Sequence, residues 1–383
     1  MAMRKWARLI LAAATRLTGC TGFWNAPSTS GGTGTTTASS GNFYILNVQT
    51  SQLTGYYVNA GTLTALTGSP YTVPATPIAI TVAPNDNFLY VSTINGIYVY
   101  TIASNGELTL GNTSSPISSD QASSMQVDTT NSWLVEAVSG SANVYAIPIN
   151  SSTGVATSTI EQHAVLPAAT IQQLAISPDN SYVFVAMGAG GTATVPFTAG
   201  NSNPLGSAGN IPVENSAGAA LSVAVDPTDR LLYIGETVAT SGSNTGGLRV
   251  FTFSTLKELS GSPYASGGLA PYSILPISTG DYVYVANRQA SGNSSGVITG
   301  FSIAESNSVF ALTALGSTFS AGTHPVALAE DNTDTFVFVV NNGGSPDLDG
   351  YTFDTTNVGY LDPVISSSTG TDPVEASAIA ATH

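Results

Sequence analysis

Phe88-Leu89-Tyr90-Val91, set between Pro84-Asn85-Asp86-Asn87 and Asn95-Gly96, decides how this chain folds. A run of β-formers held between two turn clusters reads as a strand. The same run returns as Phe43-Tyr44-Ile45-Leu46, Trp133-Leu134-Val135-Glu136, Tyr182-Val183-Phe184-Val185, Leu231-Leu232-Tyr233-Ile234, Tyr282-Val283-Tyr284-Val285 and Phe336-Val337-Phe338-Val339. With Tyr44, Tyr90, Val135, Phe184, Tyr233, Tyr284 and Phe338 taken as equivalent, the steps are 46, 45, 49, 49, 51 and 54 residues. A β-type unit repeated at this period is a four-stranded blade, and seven units close a β-propeller. The expectation is an all-β, seven-bladed propeller of antiparallel blades over residues 42–383.

The second blade shows the grammar in full. Ile78 to Ala83 is an apolar inner strand, Phe88 to Ser92 the second, Ile97 to Ile102 an alternating third, and Glu107 to Leu110 opens the fourth. Asn95-Gly96 and Ser104-Asn105-Gly106 supply the turns. The ends of the chain add a constraint. The first blade starts at the Phe43 strand with no inner strand before it, and Asp372 to Ile379 reads as an inner strand with no blade after it. Pairing the two completes blade one, closes the ring and leaves no open sheet edge at the seam.

Charge is scarce and lopsided. Only 8% of residues are charged, while 39 Gly and 20 Pro punctuate the strands. Four of the eight basic residues, Arg4, Lys5, Arg8 and Arg16, precede Cys20. From Cys20 onward four basic residues, Arg230, Arg249, Lys257 and Arg288, stand against 23 acids, a net charge of −19. Such a body repels nucleic acid and has little with which to hold a phosphorylated substrate. A single cysteine allows no intrachain disulfide and no Cys-based zinc site. No phosphate loop, serine nucleophile elbow or His-rich cluster is present, so neither cofactor nor metal is expected.

Residues 1–20 read as an address. Arg4, Lys5 and Arg8 precede an apolar stretch, Leu9 to Ala14, and then Leu17-Thr18-Gly19-Cys20. The last four resemble the lipobox of bacterial lipoproteins, which implies lipidation of Cys20, a membrane anchor and an extracytoplasmic location, the outer membrane in a diderm bacterium. Arg16 departs from that pattern. Residues 21–41 are small and polar and read as a flexible tether.

The blade grammar resembles the lactonase-type seven-bladed propellers, which include 6-phosphogluconolactonase and carboxymuconate-cyclising enzymes. The matching residues are the Pro-Asn-Asp and Pro-Asp-Asn turns with the strands that follow, and above all Tyr284-Val285-Ala286-Asn287-Arg288. The resemblance is specific for the fold and weak for the activity.

Topology sorts the candidate site residues. Loops after second strands and before first strands share one face; the Pro-Asp-Asn turns lie on the other. Arg288, Asn287, Glu236, Glu136, Asn341 and Asn342 are read as following second strands, and Tyr272 and His324 as preceding first strands. All point to one channel mouth. Arg288 could grip a carboxylate or a developing oxyanion; His324, which resembles the family's His-Pro, could act as acid or base with Glu236 or Glu330. Asn287, Asn341, Tyr272 and Glu136 would line the ligand. Each has a bland alternative: a locking ion pair for Arg288, a structural ring for His324, a solvated acid for Glu236. His163 falls away from this face, and Asp347 with Asp349 matches no complete Ca²⁺ loop. The composition favours a monomeric binding or interaction module for a small molecule, an envelope protein or a carbohydrate. A hydrolase or cyclase acting on an uncharged or carboxylated lactone, and a purely structural surface protein, remain as alternatives.

Overall fold

In the computed structural model, which describes residues 41–383 apart from 60, 160, 240–244, 290–294, 344–345 and 370–375, strand pairing follows the repeat. Seven antiparallel sheets form, each with a path of four strands, and six of them run in chain order from an inner strand outward. The seventh is the seam. Its inner strand is Ala376–Ala381, the last strand of the chain, paired antiparallel with Phe43–Asn47 from Phe43↔Ala381 to Asn47↔Ala376. The Phe43 ring stacks on Phe338 of blade seven at 4.2 Å, so packing as well as pairing closes the ring. The lipobox, Cys20 and the tether lie outside the described residues. No described helix is long and apolar enough to cross a membrane.

The second strands are the core. Tyr44, Tyr90, Phe184, Tyr233, Tyr284 and Phe338, all at the repeat's central position, are fully buried between neighbouring sheets. Full burial of such a side chain contributes about 1.5–3 kcal/mol. Three of the tyrosines also tie blades together: the hydroxyls of Tyr44, Tyr90 and Tyr284 donate to the carbonyls of Gly106, Gly154 and Gly359, each in the outer turn of the next blade. Those glycines sit at φ 81°, 70° and 86°, where a side chain would strain the backbone.

The lower face is a ring of interlocked turns. Asp86, Asn131, Asn180, Asp229, Gly280 and Asp334 all have positive φ and recur at the spacing of the core aromatics. Asn, Asp and Gly are the residues that accept this left-handed conformation most readily. The turns also bind one another. Asn131 Oδ1 accepts from Asn85 N at 3.1 Å, Asn180 Oδ1 from Thr129 N at 3.2 Å, and Glu330 Oε2 from Ser278 N at 2.7 Å. The Pro-Asp-Asn motif is thus a device for joining blades.

The inner strands present an open edge to the axis, and side chains from the preceding blade satisfy part of it. Ser124 Oγ accepts from Leu174 N, Gln126 Oε1 from Ile176 N, Gln173 Oε1 from Val223 N, and Ser273 Oγ from Leu328 N. Around the axis these strands enclose a cavity of about 550 Å³.

Candidate functional site

Five inner strands begin with the same irregularity. The first residue of the strand pairs with the last of the second strand (Pro77↔Thr93, Ala220↔Glu236, Pro271↔Asn287, Pro325↔Asn341, Ala376↔Asn47), and the register then slips by one. A bulge re-aims the side chain of its extra residue. Those residues are Ile78, Leu221, Tyr272, Val326 and Ser377, and all five line the axial cavity. The mouth therefore carries a mainly apolar collar with one hydroxyl, Ser377, and one aromatic member, Tyr272.

Arg288 does not line the cavity itself but sits against the collar's Tyr272. Its amide donates to Ala270 O at 2.8 Å, fixing the loop after the second strand of blade six beside the start of its inner strand. The guanidinium carbon lies 5.1 Å from the centre of the Tyr272 ring, a cation–π contact. The other two arginines of the ring are committed elsewhere. Arg230 holds Asp226 at 2.8 Å and donates to Gly280 O at 2.6 Å. Arg249 lies between Glu236 at 2.9 Å and Glu258 at 2.6 Å. Among the described residues Arg288 has no acidic partner.

The remaining candidates separate. Asn287, Glu236 and Asn341 end second strands instead of following them, and all three are buried. They share one position of the repeat and one kind of work. Asn287 Oδ1 accepts from the Ser266 hydroxyl at 2.7 Å, and its amide donates to Ser266 O at 2.5 Å. Asn341 Nδ2 donates to Asp349 at 2.8 Å. Glu236 accepts from Arg249 and, at 2.9 Å, from Glu214 N. Its carboxyl is pushed up by burial, against the pull of the Glu214 amide and of Arg249. Asn342 stays on the upper face, donating to His324 O at 2.9 Å and to Ala376 O at 3.0 Å.

His324 has φ 51° and is partly exposed on the same face; Pro325, next to it, packs where a Cβ on Gly296 would lie. No hydrogen bond or ion pair joins it to Glu236 among the described residues. Glu330 cannot serve it either. It ends the strand Pro325–Glu330, and at about 3.3 Å per residue it lies roughly 20 Å from His324, on the lower face. Burial, with Asp334 and Asp331 near, pushes Glu330 up to about 8 although Ser278 donates to it. Asp347 is held by Thr369 at 2.8 and 2.7 Å, Asp349 by Asn341 and Ser366.

Glu136 is the largest departure from the sequence reading. It lies inside the second strand Trp133–Ala137, not in the loop after it, and is fully buried. The six equivalent residues are Ile45, Val91, Val185, Ile234, Val285 and Val339. Its register partners are Met125 and Tyr145, and Tyr145 in turn pairs with His163, an exposed ring 6.0 Å away in the fourth strand. Carboxylate oxygens of Glu136, Asp120 and Glu161 lie within 4.8 Å of one another. Burial first, then Asp120 and Glu161, push Glu136 up to about 10; burial and Asp120 push Glu161 to about 7. Asp120 and Glu161 carry no local motif. The signal available in the sequence was the acid at a position that six other blades fill with valine or isoleucine.

No protein of curated function matches the chain in sequence. The family described as Lactonase, 7-bladed beta-propeller, matches residues 36–173. Among solved structures, a candidate 6-phosphogluconolactonase of Bacteroides fragilis superposes with a TM-score of 0.70 at 13% identity, covering 91% of this chain and 100% of that one. A periplasmic gluconolactonase of Pseudomonas aeruginosa gives 0.66 at 16% identity, covering 90% and 99%. A protein of Lactobacillus plantarum gives 0.62 at 14%, covering 90% and 100%. At these identities the superpositions speak for the fold alone. Together with the seven-sheet ring, they show the fold of a seven-bladed β-propeller, and residues 36–173 of the chain match the lactonase family of that fold.

Proposed function

We propose that the protein is an exported, lipid-anchored propeller that binds a small carboxylate or lactone at the upper mouth. The observation that carries this reading is Arg288: a partly exposed guanidinium laid on an aromatic ring that a bulge turns into the channel, with no described acid to neutralise it. In a body of net charge −19 an added cation is not needed for solubility. A guanidinium offers paired donors to a carboxylate or to a lactone carbonyl, and the Tyr272 face and aliphatic collar suit the body of a small ring. One such cation is too few for a phosphorylated lactone.

Calorimetric titration with gluconate and glucono-δ-lactone tests this. Arg288→Ala is expected to weaken binding at least about tenfold, the equivalent of 1.4 kcal/mol, and to leave stability within about 0.5 kcal/mol, as at other surface sites. No binding by wild type, combined with a loss of roughly 3 kcal/mol in the variant, would make Arg288 a structural lock instead. Turnover of the lactone that disappears in both Arg288→Ala and His324→Ala would make the mouth a hydrolase site, with Arg288 on the oxyanion.

The anchor has its own test. Cys20→Ser is expected to move the protein from the membrane fraction to the soluble one, or to leave the leader uncleaved. Wild-type protein found wholly in the cytosol with Met1 intact would overturn the assignment.

A further inference from the structure

We propose that Asp120, Glu136 and Glu161 form a Ca²⁺ site that clasps blade two to blade three. The three come from separate pieces of chain: Asp120 from the connection between the blades, Glu136 from the second strand of blade three, and Glu161 from the residue before its fourth strand, Gln162–Val165. The connection is itself fixed, since Ile97 and Ser118 form a bridge that continues the blade-two sheet.

Two independent observations point to a ligand. The first is Glu136, which is fully buried and has no hydrogen-bond donor on either carboxylate oxygen. Buried carboxylates are ordinarily paired or hydrogen-bonded, and leaving one bare is strongly unfavourable. The repeat shows that nothing in blade geometry asks for an acid here, because valine or isoleucine fills the position six times. The second is the shortage of donors around the other two. Ser118 Oγ lies 3.2 Å from both Asp120 Oδ2 and Glu161 Oε1, and one hydroxyl proton can serve only one of them at a time. No lysine or arginine pairs with any of the three among the described residues. Three carboxyls in a half-dry cleft thus lack a positive charge.

The donors are all oxygen, which suits a hard cation and disfavours zinc or copper. Carboxylate oxygens lying within 4.8 Å of one another are close enough to share one ion. Among hard cations Ca²⁺ accepts irregular carboxylate cages, whereas Mg²⁺ demands near-ideal octahedral geometry and gives up its waters reluctantly. Two of the acids are partly exposed, so an ion has a path from solvent and water can complete its shell. Bound there, it would neutralise Glu136 and hold the interblade connection, the second strand and the start of the fourth strand together.

The test is thermal unfolding and calorimetric titration of the EGTA-treated protein with CaCl₂, and MgCl₂ in parallel. Saturable Ca²⁺ binding is expected to raise Tm by about 5 °C at a hundredfold excess over Kd, with a smaller rise for Mg²⁺. Glu161→Gln, at a partly exposed position, is expected to weaken Ca²⁺ binding at least about tenfold. Glu136→Val, which installs the residue of the other blades, is expected to abolish the Ca²⁺ response and to melt above wild type in EGTA. Absence of saturable Ca²⁺ binding at 5 mM, or an equal Ca²⁺ response in Glu136→Val, would overturn the proposal and leave a proton shared between Glu136 and Asp120. Should Glu136→Val fail to fold, Glu161→Gln and Asp120→Asn decide the matter from the rim.

Discussion

Replacing Arg249 by methionine is expected to destabilise the ring by about 3–5 kcal/mol at neutral pH, the range for a buried ion pair that loses one partner. The guanidinium is 6% exposed and bonded to Glu236 Oε1, both oxygens of Glu258, and Pro212 O. Glu214 lies 3.6 Å away on the rim. Methionine fills most of the volume and supplies none of the charge. Glu236, 1% exposed, would keep only the Glu214 amide. The loss should depend on pH with a definite sign. Burial holds the Glu236 carboxyl above its ordinary value even with Arg249 beside it. A group whose folded value is raised contributes stability that is complete below its unfolded value and is lost as pH rises through the folded one. Without Arg249 that raise becomes larger. The deficit should therefore be small near pH 4.5 and grow toward pH 7. Urea unfolding at both pH values checks this, and Arg249→Met with Glu236→Gln should recover most of the loss. A pH-independent deficit, or no recovery in the double variant, would show that packing dominates.

Removing residues 372–383 is expected to be the more damaging change. It takes away the inner strand of blade one, and with it the pairing from Phe43↔Ala381 to Asn47↔Ala376. Ladder hydrogen bonds contribute about 1 kcal/mol each, and the buried contacts of Ala376 with the Phe43, Ile45 and Phe338 cluster are lost as well. The Asp86 carboxylate also loses the backbone amide of His383 at 2.9 Å, a tie across the lower face into blade two. The truncated chain would expose the inner edge of Phe43–Asn47, an invitation to aggregate. A fall in Tm of about 10 °C or more is expected for a chain of this size, with partial restoration by a peptide of residues 374–383 added in trans. An unchanged melting curve would mean that the seam contributes little.

Much of this architecture is legible in the sequence because it rests on local rules repeated seven times. Turn residues such as Pro84-Asn85-Asp86 and Asn95-Gly96, and the period-two alternation of strands like Ile97 to Ile102, state their conformation within a few positions. The repeat then multiplies a weak signal. The missing first inner strand and the orphan last one allow one economical closure, and Ala376–Ala381 makes it.

The sites were decided by tertiary structure, since their partners come from distant positions and depend on which way one side chain turns. Glu236, Asn287 and Asn341 fall on the predicted face, yet a one-residue difference in register turns them into the wall to hold Arg249, Ser266 and Asp349. The bulge after Pro271 sends Tyr272 into the channel and gives Arg288 its ring, an effect no propensity encodes. Glu330 and His324 are six residues apart and lie at opposite ends of one strand. Glu136 meets Asp120 and Glu161 only because folding brings the second strand of blade three, the residue before its fourth strand and the interblade connection to one place. Local sequence chose the strands, their number and their order; long-range packing chose which polar groups were turned into the wall and which face the channel or a cleft.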